Sequence, residues 1–599
     1  MGPQGRSGGL HLEHCADNFG SHVGSELMSK SVWPQYYGAV MNLLLASRRV
    51  WGALLLATLL LVLLKPSVVI VLAVLLLPLL HPHVRGCAHN RARRICGFVH
   101  NHAGYILAIQ CVVYAFAYDA LMPTGMYFSP DSLSYLAVSN LVPPTFSLLA
   151  SSLVQIEVGL GSERIVLLRY LVIAIYSAAG WLIARALIRS GRPLLATFVL
   201  PTIWSMSSLT QWFNFYLTDG IATALLVASI GAYANMCVSI QGGAGQSYSA
   251  KRWVILFVFL GMASFSMRPA FAFVAPVMAL MMLNRAIFSW RRLAGVIVGI
   301  ALFATVHFSF AQYWHGHASP SQLGGVLTTL VFDFPVSNAC ADNEETNLCR
   351  TQRALEPFIR ASLSSGSSRE RYLYKMSNNL EVIGAARAAV QGNEMDMSAR
   401  YSVLSEIALL KIKSNPGAYI LTVLGNSYYA VEMWGDHSWN NDSLGNWATV
   451  NASITSGVAA AVSDALRTVA GIRYDPTIKH LPNDKFYRAY LFNLPRLVIG
   501  HGFVKDFAFI IFMVAVIFTV RSFFFFSSLP GSILFSCSAF GVAGIVFQNA
   551  FFPVIPRLLD PFHPLAALGV LMFVSMAIDK VESSSLGVRD IGNDEARPA

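Results

Sequence analysis

Long apolar runs separated by short polar connections dominate this chain. Residues 103–121 (AGYILAIQCVVYAFAYDAL) form the first clear run. About 20 apolar residues are enough to carry a helix across a bilayer. Runs of the same kind follow at 165–187, 194–210, 219–238, 253–267, 270–284 and 293–313. After a long polar stretch come 503–520, 529–551 and 563–579, which brings the candidate spans to ten. Residues 51–80 are also almost wholly apolar, but Lys65-Pro66 interrupts them and Arg48, Arg49 and Arg85 flank them. An even number of crossings there, or a re-entrant or interfacial hairpin, preserves the orientation of everything downstream. The expected fold is therefore an all-α polytopic membrane protein with about 10–12 transmembrane helices and a mainly helical extracytoplasmic domain.

Basic residues orient these runs. Arg91, Arg93 and Arg94 precede the first, Arg185, Arg189 and Arg192 separate the second from the third, and Lys251 and Arg252 separate the fourth from the fifth. Arg285, Arg291 and Arg292 lie between the sixth and seventh, and Arg521 between the eighth and ninth. Alternating crossings bring all of them to one side, which the positive-inside rule makes cytoplasmic. Both termini are then cytoplasmic, as expected of a multi-pass protein of the cell inner (plasma) membrane. The resulting plan has a cytoplasmic segment at 1–50, an apolar hairpin and basic loop at 51–102, and a membrane core at 103–313 whose first outer loop spans 122–164. An extracytoplasmic domain follows at 314–502, C-terminal transmembrane helices at 503–580, and a disordered cytoplasmic tail at 581–599.

Composition supports this class. The chain is 55% hydrophobic and only 12% charged, where a soluble protein carries roughly a quarter charged residues. The net charge of +11 raises the question of a nucleic-acid partner, but the basic residues sit in short clusters between apolar runs, so none is expected. The beginning of the sequence has no n-region followed by an h-region, so no cleavable signal peptide is expected. Of eight cysteines, only Cys340 and Cys349 share a polar segment (CADNEETNLC), which makes them a candidate disulfide outside the cytoplasm.

Ionisable side chains beside apolar spans are costly and therefore informative. On the expected outer side these are Asp131 in MYFSPDSLSYL, Arg169 near the end of the second span, Asp219 in NFYLTDGIATALL, and Arg268 in SFSMRPAFAF. Arg557, Asp560 and His563 share PVIPRLLDPFHPLAAL. Each also has a structural explanation. Asp131 and Asp219 have the positions of helix N-caps, and Arg169 and Arg268 can snorkel to headgroups. His563 fits a satisfied interfacial histidine, His307 fits a packed polar residue, and Trp204, Trp212 and Tyr216 fit an aromatic belt. Gathering acids and arginines on one face goes beyond what capping requires, and this favours a functional site.

The arrangement resembles the GT-C superfamily of integral-membrane glycosyltransferases. The likeness rests on an acid in the first outer loop (YFSPDSLSYL) followed by a Pro-Pro stretch (LVPPTFSLL), and on an acid opening the fourth span (YLTDGIATALLV). It also rests on an Arg-Pro hinge (GMASFSMRPAFAFVAPVMAL), the late segment RLLDPFHPLAAL, and IKSNPGAYI in the outer domain. It covers roughly residues 103–580. The branch is unassigned, because Asp131 is followed by Ser132 rather than by a second acid. The resemblance implies transfer of a sugar from a polyprenyl-phosphate donor to a glycan, lipid or protein acceptor on the extracytoplasmic face. An inverting displacement needs one base and cations for the departing phosphate. Asp131 is the candidate base. Arg268 and Arg557, with Arg169 as a third candidate, are the phosphate ligands, and Asp219 would position hydroxyls. Asp560 and His563 complete the candidate substrate-binding set. No cofactor is expected, and a divalent metal is the less favoured alternative. Two other functions remain open: an O-antigen-type polymerase or ligase, and a membrane transporter.

Overall fold

A computed structural model describes residues 82–121, 135, 144–160, 166–204, 209, 213, 217–241, 247–284, 287–315, 323–336, 346–390, 397–433, 528–551, 559–573 and 575–576. The apolar stretch 51–80, the expected span 503–520, Asp131, Cys340 and Arg557 lie outside the described residues. Among the described residues the secondary structure is helical and contains no strand.

The membrane part contains α1 (Pro82–Leu121), α2 (Pro144–Gly159), α3 (Leu167–Arg189), α4 (Pro193–Trp204), α5 (Thr218–Gln241), α6 (Ser247–Met267), α7 (Val274–Met281) and α8 (Trp290–His315). Further along lie α15 (Leu529–Phe551) and a helix over 563–573, α16. Among the described residues, six stretches are long and apolar enough to cross a membrane: Asn101–Ala120 of α1, α3, α5, Ser249–Met267 of α6, Trp290–Trp314 of α8, and α15. The chain is thus an all-α polytopic membrane protein. The run at 194–210 contains α4, which carries Pro201 inside it, and residues 205–208 and 210 lie outside the described residues. The run at 270–284 splits into a 3₁₀ turn at Pro269–Phe271 and the short α7. In the opposite sense, α1 starts at Pro82, well before its apolar run, because nothing in the His- and Arg-rich stretch that follows breaks a helix.

α5 is the hub of the bundle, with 94% of its most apolar window buried. Its sequence is rich in small residues, which let neighbouring backbones approach where lipid removes the hydrophobic drive between helices. A Cβ at Gly231 would lie 2.7 Å from Leu182 Cβ of α3. Polar side chains then lock the contact. Asn235 Nδ2 donates to Leu182 O at 2.7 Å, and Tyr233 Oη to Met281 O at 3.2 Å. Asn284 Nδ2 donates to Tyr233 Oη at 3.1 Å and to Ser532 Oγ at 3.2 Å, which ties α5 to the start of α15. This end of the bundle also carries Arg185 over the Trp181 and Trp253 rings, and Arg192 Nη1 donating to Ser575 Oγ at 3.1 Å. By contrast, the outer helices expose apolar side chains such as Ile109, Phe116, Val298 and Phe308, as suits a lipid-facing surface.

A helical domain comprises α9 (Leu323–Val331), α10 (Asn347–Ser364), α11 (Ser368–Ser377), α12 (Asn379–Ala389), α13 (Met397–Ser414) and α14 (Pro416–Met433). Ser367 and Glu370 close a capping box at the head of α11. At the head of α10, Thr346 Oγ1 accepts from the Cys349 amide. Cys349 is disulfide-bonded. Phe332, Leu355, Val382, Ala386 and Leu404 form the domain's core. Within it, Asp333 accepts from Lys375 Nζ at 2.6 Å and from Ser362 Oγ at 2.8 Å, while Lys411 Nζ donates to Phe332 O at 2.6 Å. Packing of Leu327, Leu330 and Phe334 with Tyr419 and Phe551 seats the domain on the last turn of α15.

Gly324 packs directly on the Tyr401 carbonyl and Ser405 of α13, where no Cβ fits. Gly324→Ala must separate α9 from α13 and should cost about 1–3 kcal/mol, the usual penalty for overpacking. Thermal unfolding of the purified full-length protein checks this. Burial depresses the Lys411 amine to about 8 from 10.5. Between those values the unfolded chain binds more protons than the folded one, so the domain should gain stability as pH rises from 8 to 10.5. The gain from this residue should be at most about 2–3 kcal/mol, and Lys411→Met should reduce the difference when unfolding is compared at pH 8 and pH 10.

Candidate functional site

At the end of the bundle opposite the Arg185 and Arg192 cluster lie buried charges of the membrane part, Arg169, Asp219, Arg268 and Asp560. Pro269 creates the first element of this site. The residue before a proline is pushed out of the helical region, so α6 ends and Arg268 takes an extended conformation, φ −142° and ψ 103°. Its side chain meets the head of α5, where Asp219 occupies the first helical turn. Arg268 Nη1 donates to Asp219 Oδ1, and both side chains are buried. An acid in a first turn also complements the positive end of the helix dipole. Ser264 Oγ donates to Ala222 O at 2.7 Å and fastens α6 to α5 just below the pair. The guanidinium lies 5.4 Å from the centroid of the Phe271 ring.

Phe271 links this pair to the last connection of the bundle. Its ring centroid is 6.1 Å from that of Phe562, which belongs to the 3₁₀ turn Asp560–Phe562. Asp560 is buried, and its Oδ1 lies 3.5 Å from His563 Nδ1. Phe562 is held against Gly544 of α15, where even a methyl group would collide with the ring.

A second ion pair forms between the end of α1 and the head of α3. Arg169 Nη2 lies 2.8 Å from Asp119 Oδ1, with the arginine buried and the acid half-exposed. Tyr170 Oη is 3.4 Å from Asp119 Oδ2. Three residues below Arg169, Val172 packs on Gly220, the neighbour of Asp219, so the two ion pairs lie at the same end of α3 and α5. Glu157 of α2 reaches the head of α3, where its Oε1 accepts from the Val166 and Leu167 amides at 2.6 and 2.7 Å. Burial raises the Glu157 pKa, while these amides and Arg169 pull it back down. This carboxyl group therefore holds its proton more tightly than an ordinary glutamate.

Arg169, Asp219, Arg268, Asp560 and His563 are thus gathered at one end of the bundle, while Asp131 and Arg557 lie outside the described residues. The pattern of spans gave no sign that Asp219 and Arg268 would be each other's partner. Asp119 and Glu157 were missed as site residues. An acid in the last turn of an apolar run (YAFAYDAL) was a usable signal for Asp119, whereas Glu157 offers none. Trp204 departs from the expected interfacial belt. It is buried where α4 packs on α1 and α3, 6.0 Å from Tyr114 in a stacked pair and 5.4 Å from Tyr176 edge-on. His307 is a packed polar residue, with Nδ1 3.2 Å from Ser266 Oγ. Among the described residues, no three His, Cys, Asp or Glu side chains gather as a metal cage would require.

Chemically, this end of the bundle stores compensated charge. A phosphate that reaches Arg268 must share it with Asp219. Asp219→Asn or Arg268→Gln alone leaves one buried group without its counter-charge and should cost about 3–5 kcal/mol. Asp219→Leu combined with Arg268→Met should recover much of that loss. Melting temperatures of the three purified proteins and their levels in the membrane decide the matter; equal losses in single and double variants would exclude a mutual brace.

The chain matches no protein-family model, no curated protein and no solved structure.

Proposed function

We propose that this protein is a membrane glycosyltransferase that moves a sugar from a polyprenyl-phosphate donor to an envelope glycan, lipid or protein acceptor. The observation that carries this reading is the gathering of three charged pairs, Asp119 with Arg169, Asp219 with Arg268 and Asp560 with His563, at one end of an apolar bundle. The opposite end carries Arg185, Arg189 and Arg192, so the positive-inside rule assigns the acidic and arginine cluster to the extracytoplasmic face. Lipid-phosphate sugars presented there would find both guanidinium groups and a helical domain seated beside them. Guanidinium forks match phosphate oxygens, and carboxylates suit sugar hydroxyls.

In this scheme Asp131 is the base that takes the acceptor proton, and Arg268 and Arg557 bind the departing phosphate, with Arg169 as a third candidate. Asp219, relieved of part of its contact with Arg268 when phosphate binds, positions hydroxyl groups. One carboxylate acting as base suits inverting displacement without a metal. Against the transporter reading, the buried charges collect at one end of the bundle rather than at a midplane site between repeats.

The test is Asp131→Asn and Asp131→Ala, with protein level measured in the membrane and with lipid-linked sugars and envelope glycans profiled. Normal protein level, loss of one glycan and accumulation of its polyprenyl-phosphate sugar are expected. The outcome against the proposal is wild-type glycan with a normal lipid-linked pool. Tolerance of Asp131 variants with essential Arg268 and Arg557 would favour the polymerase or ligase reading.

A further inference from the structure

α14 divides cleanly into two faces. It buries Val423, Asn426, Ser427 and Ala430 and exposes Ile420, Leu421, Leu424 and Tyr428. The exposed positions fall at i, i+1, i+4 and i+8 and so form one continuous stripe along the helix. Leu421 is 71% accessible. Large apolar side chains in such a row mark a contact surface rather than scattered surface hydrophobics.

The start of the stripe is fixed relative to the membrane. Tyr419 Oη donates to Ala550 O at 2.6 Å, and Tyr419 packs with Phe551. Ala550 and Phe551 are the last residues of α15, one of the helices long and apolar enough to span a bilayer. α15 begins beside Asn284, at the arginine-bearing end, so its last turn lies at the site-bearing end of the bundle. α8 ends on the same side with exposed Tyr313 and Trp314, residue types that favour the interfacial layer. The apolar stripe of α14 therefore begins beside Tyr419, at the level of the last turn of α15.

We infer that α14 is an interfacial helix whose Ile420, Leu421, Leu424 and Tyr428 stripe rests in the bilayer leaflet on the site-bearing side. Its buried face packs on the helical domain: Tyr429 stacks near Tyr372 at 5.9 Å and bonds to Ser368. Amphipathic helices lie in the interface plane with the apolar side toward the acyl chains. The lipid contact would hold the helical domain beside the charged cluster, and it stands whether or not the chain transfers a sugar.

The test uses the full-length protein in phosphatidylcholine–phosphatidylglycerol vesicles. Leu421→Cys, Leu424→Cys and Tyr428→Cys are each labelled with bimane, and Arg360→Cys on exposed α10 serves as the control. Wild-type labelling sets the background from native cysteines. Brominated acyl chains should cause a large loss of fluorescence at 421, 424 and 428 and little at 360, while iodide should show the reverse. Iodide quenching at 421 and 424 equal to that at 360 would place the stripe in water and overturn the inference. Protection from both quenchers would also overturn it, because protein rather than lipid would then cover the stripe. Three separate probe positions keep the result readable if one variant fails to fold.

Discussion

The bundle is organised around the burial of one charge pair, Asp219 with Arg268, at the head of its central helix. Removing two ions from water costs several kcal/mol each unless geometry and further hydrogen bonds compensate. The compensation here comes from three directions. Pro269 ends α6 where Arg268 can turn to α5, the α5 dipole favours an acid in its first turn, and the Phe271 face covers the guanidinium. Phe271 in turn meets Phe562, which sits on Gly544 of α15. Four segments far apart in sequence are thus drawn to one point. The small residues of α5 are the corollary, because helices that must converge on a single pair have to approach one another closely.

The two ends of α5 solve the same problem by different means. Toward the arginine-bearing end, neutral groups do the locking: Tyr233, Asn284 and Ser532 share protons among amide and hydroxyl oxygens. Such a network has no net charge to redistribute and is well suited to permanence. At the other end the partners are ions. A neutral network gains little from an incoming anion, but a paired arginine can exchange part of its carboxylate contact for a phosphate. Charged partners are therefore found where a ligand could compete for them.

Much of the architecture was legible in the sequence because span length and charge sidedness are local properties. The runs containing α3, α5, α8 and α15 needed only counting. Where a proline interrupted a run, the length rule overshot: Pro269 splits the run at 270–284 into a 3₁₀ turn and the short α7. The site was legible as a set of residues on one face but not as a set of pairs. Asp219 and Arg268 are 49 positions apart, and no periodicity says which connections meet. Trp204 shows the same limit. A tryptophan near a span end reads as belt, and only the packing of α4 between α1 and α3 reveals it as core.

This pairing bears on how a single face could handle both phosphate and sugar. Uncompensated arginines buried in an apolar bundle would be too costly to hold ready for a ligand, and fully exposed ones would lose strength to water. A carboxylate partner solves this by keeping the guanidinium in place while no ligand is bound. In the proposed transfer, the entering phosphate would take over part of that role, and the carboxylate it loosens would become an acceptor for hydroxyl groups close to the same phosphorus. One ion pair then supplies both recognition elements in sequence, with the order set by which anion holds the arginine. The same reasoning extends to Asp119 and Arg169, whose half-exposed acid leaves that pair the more open of the two to an incoming group.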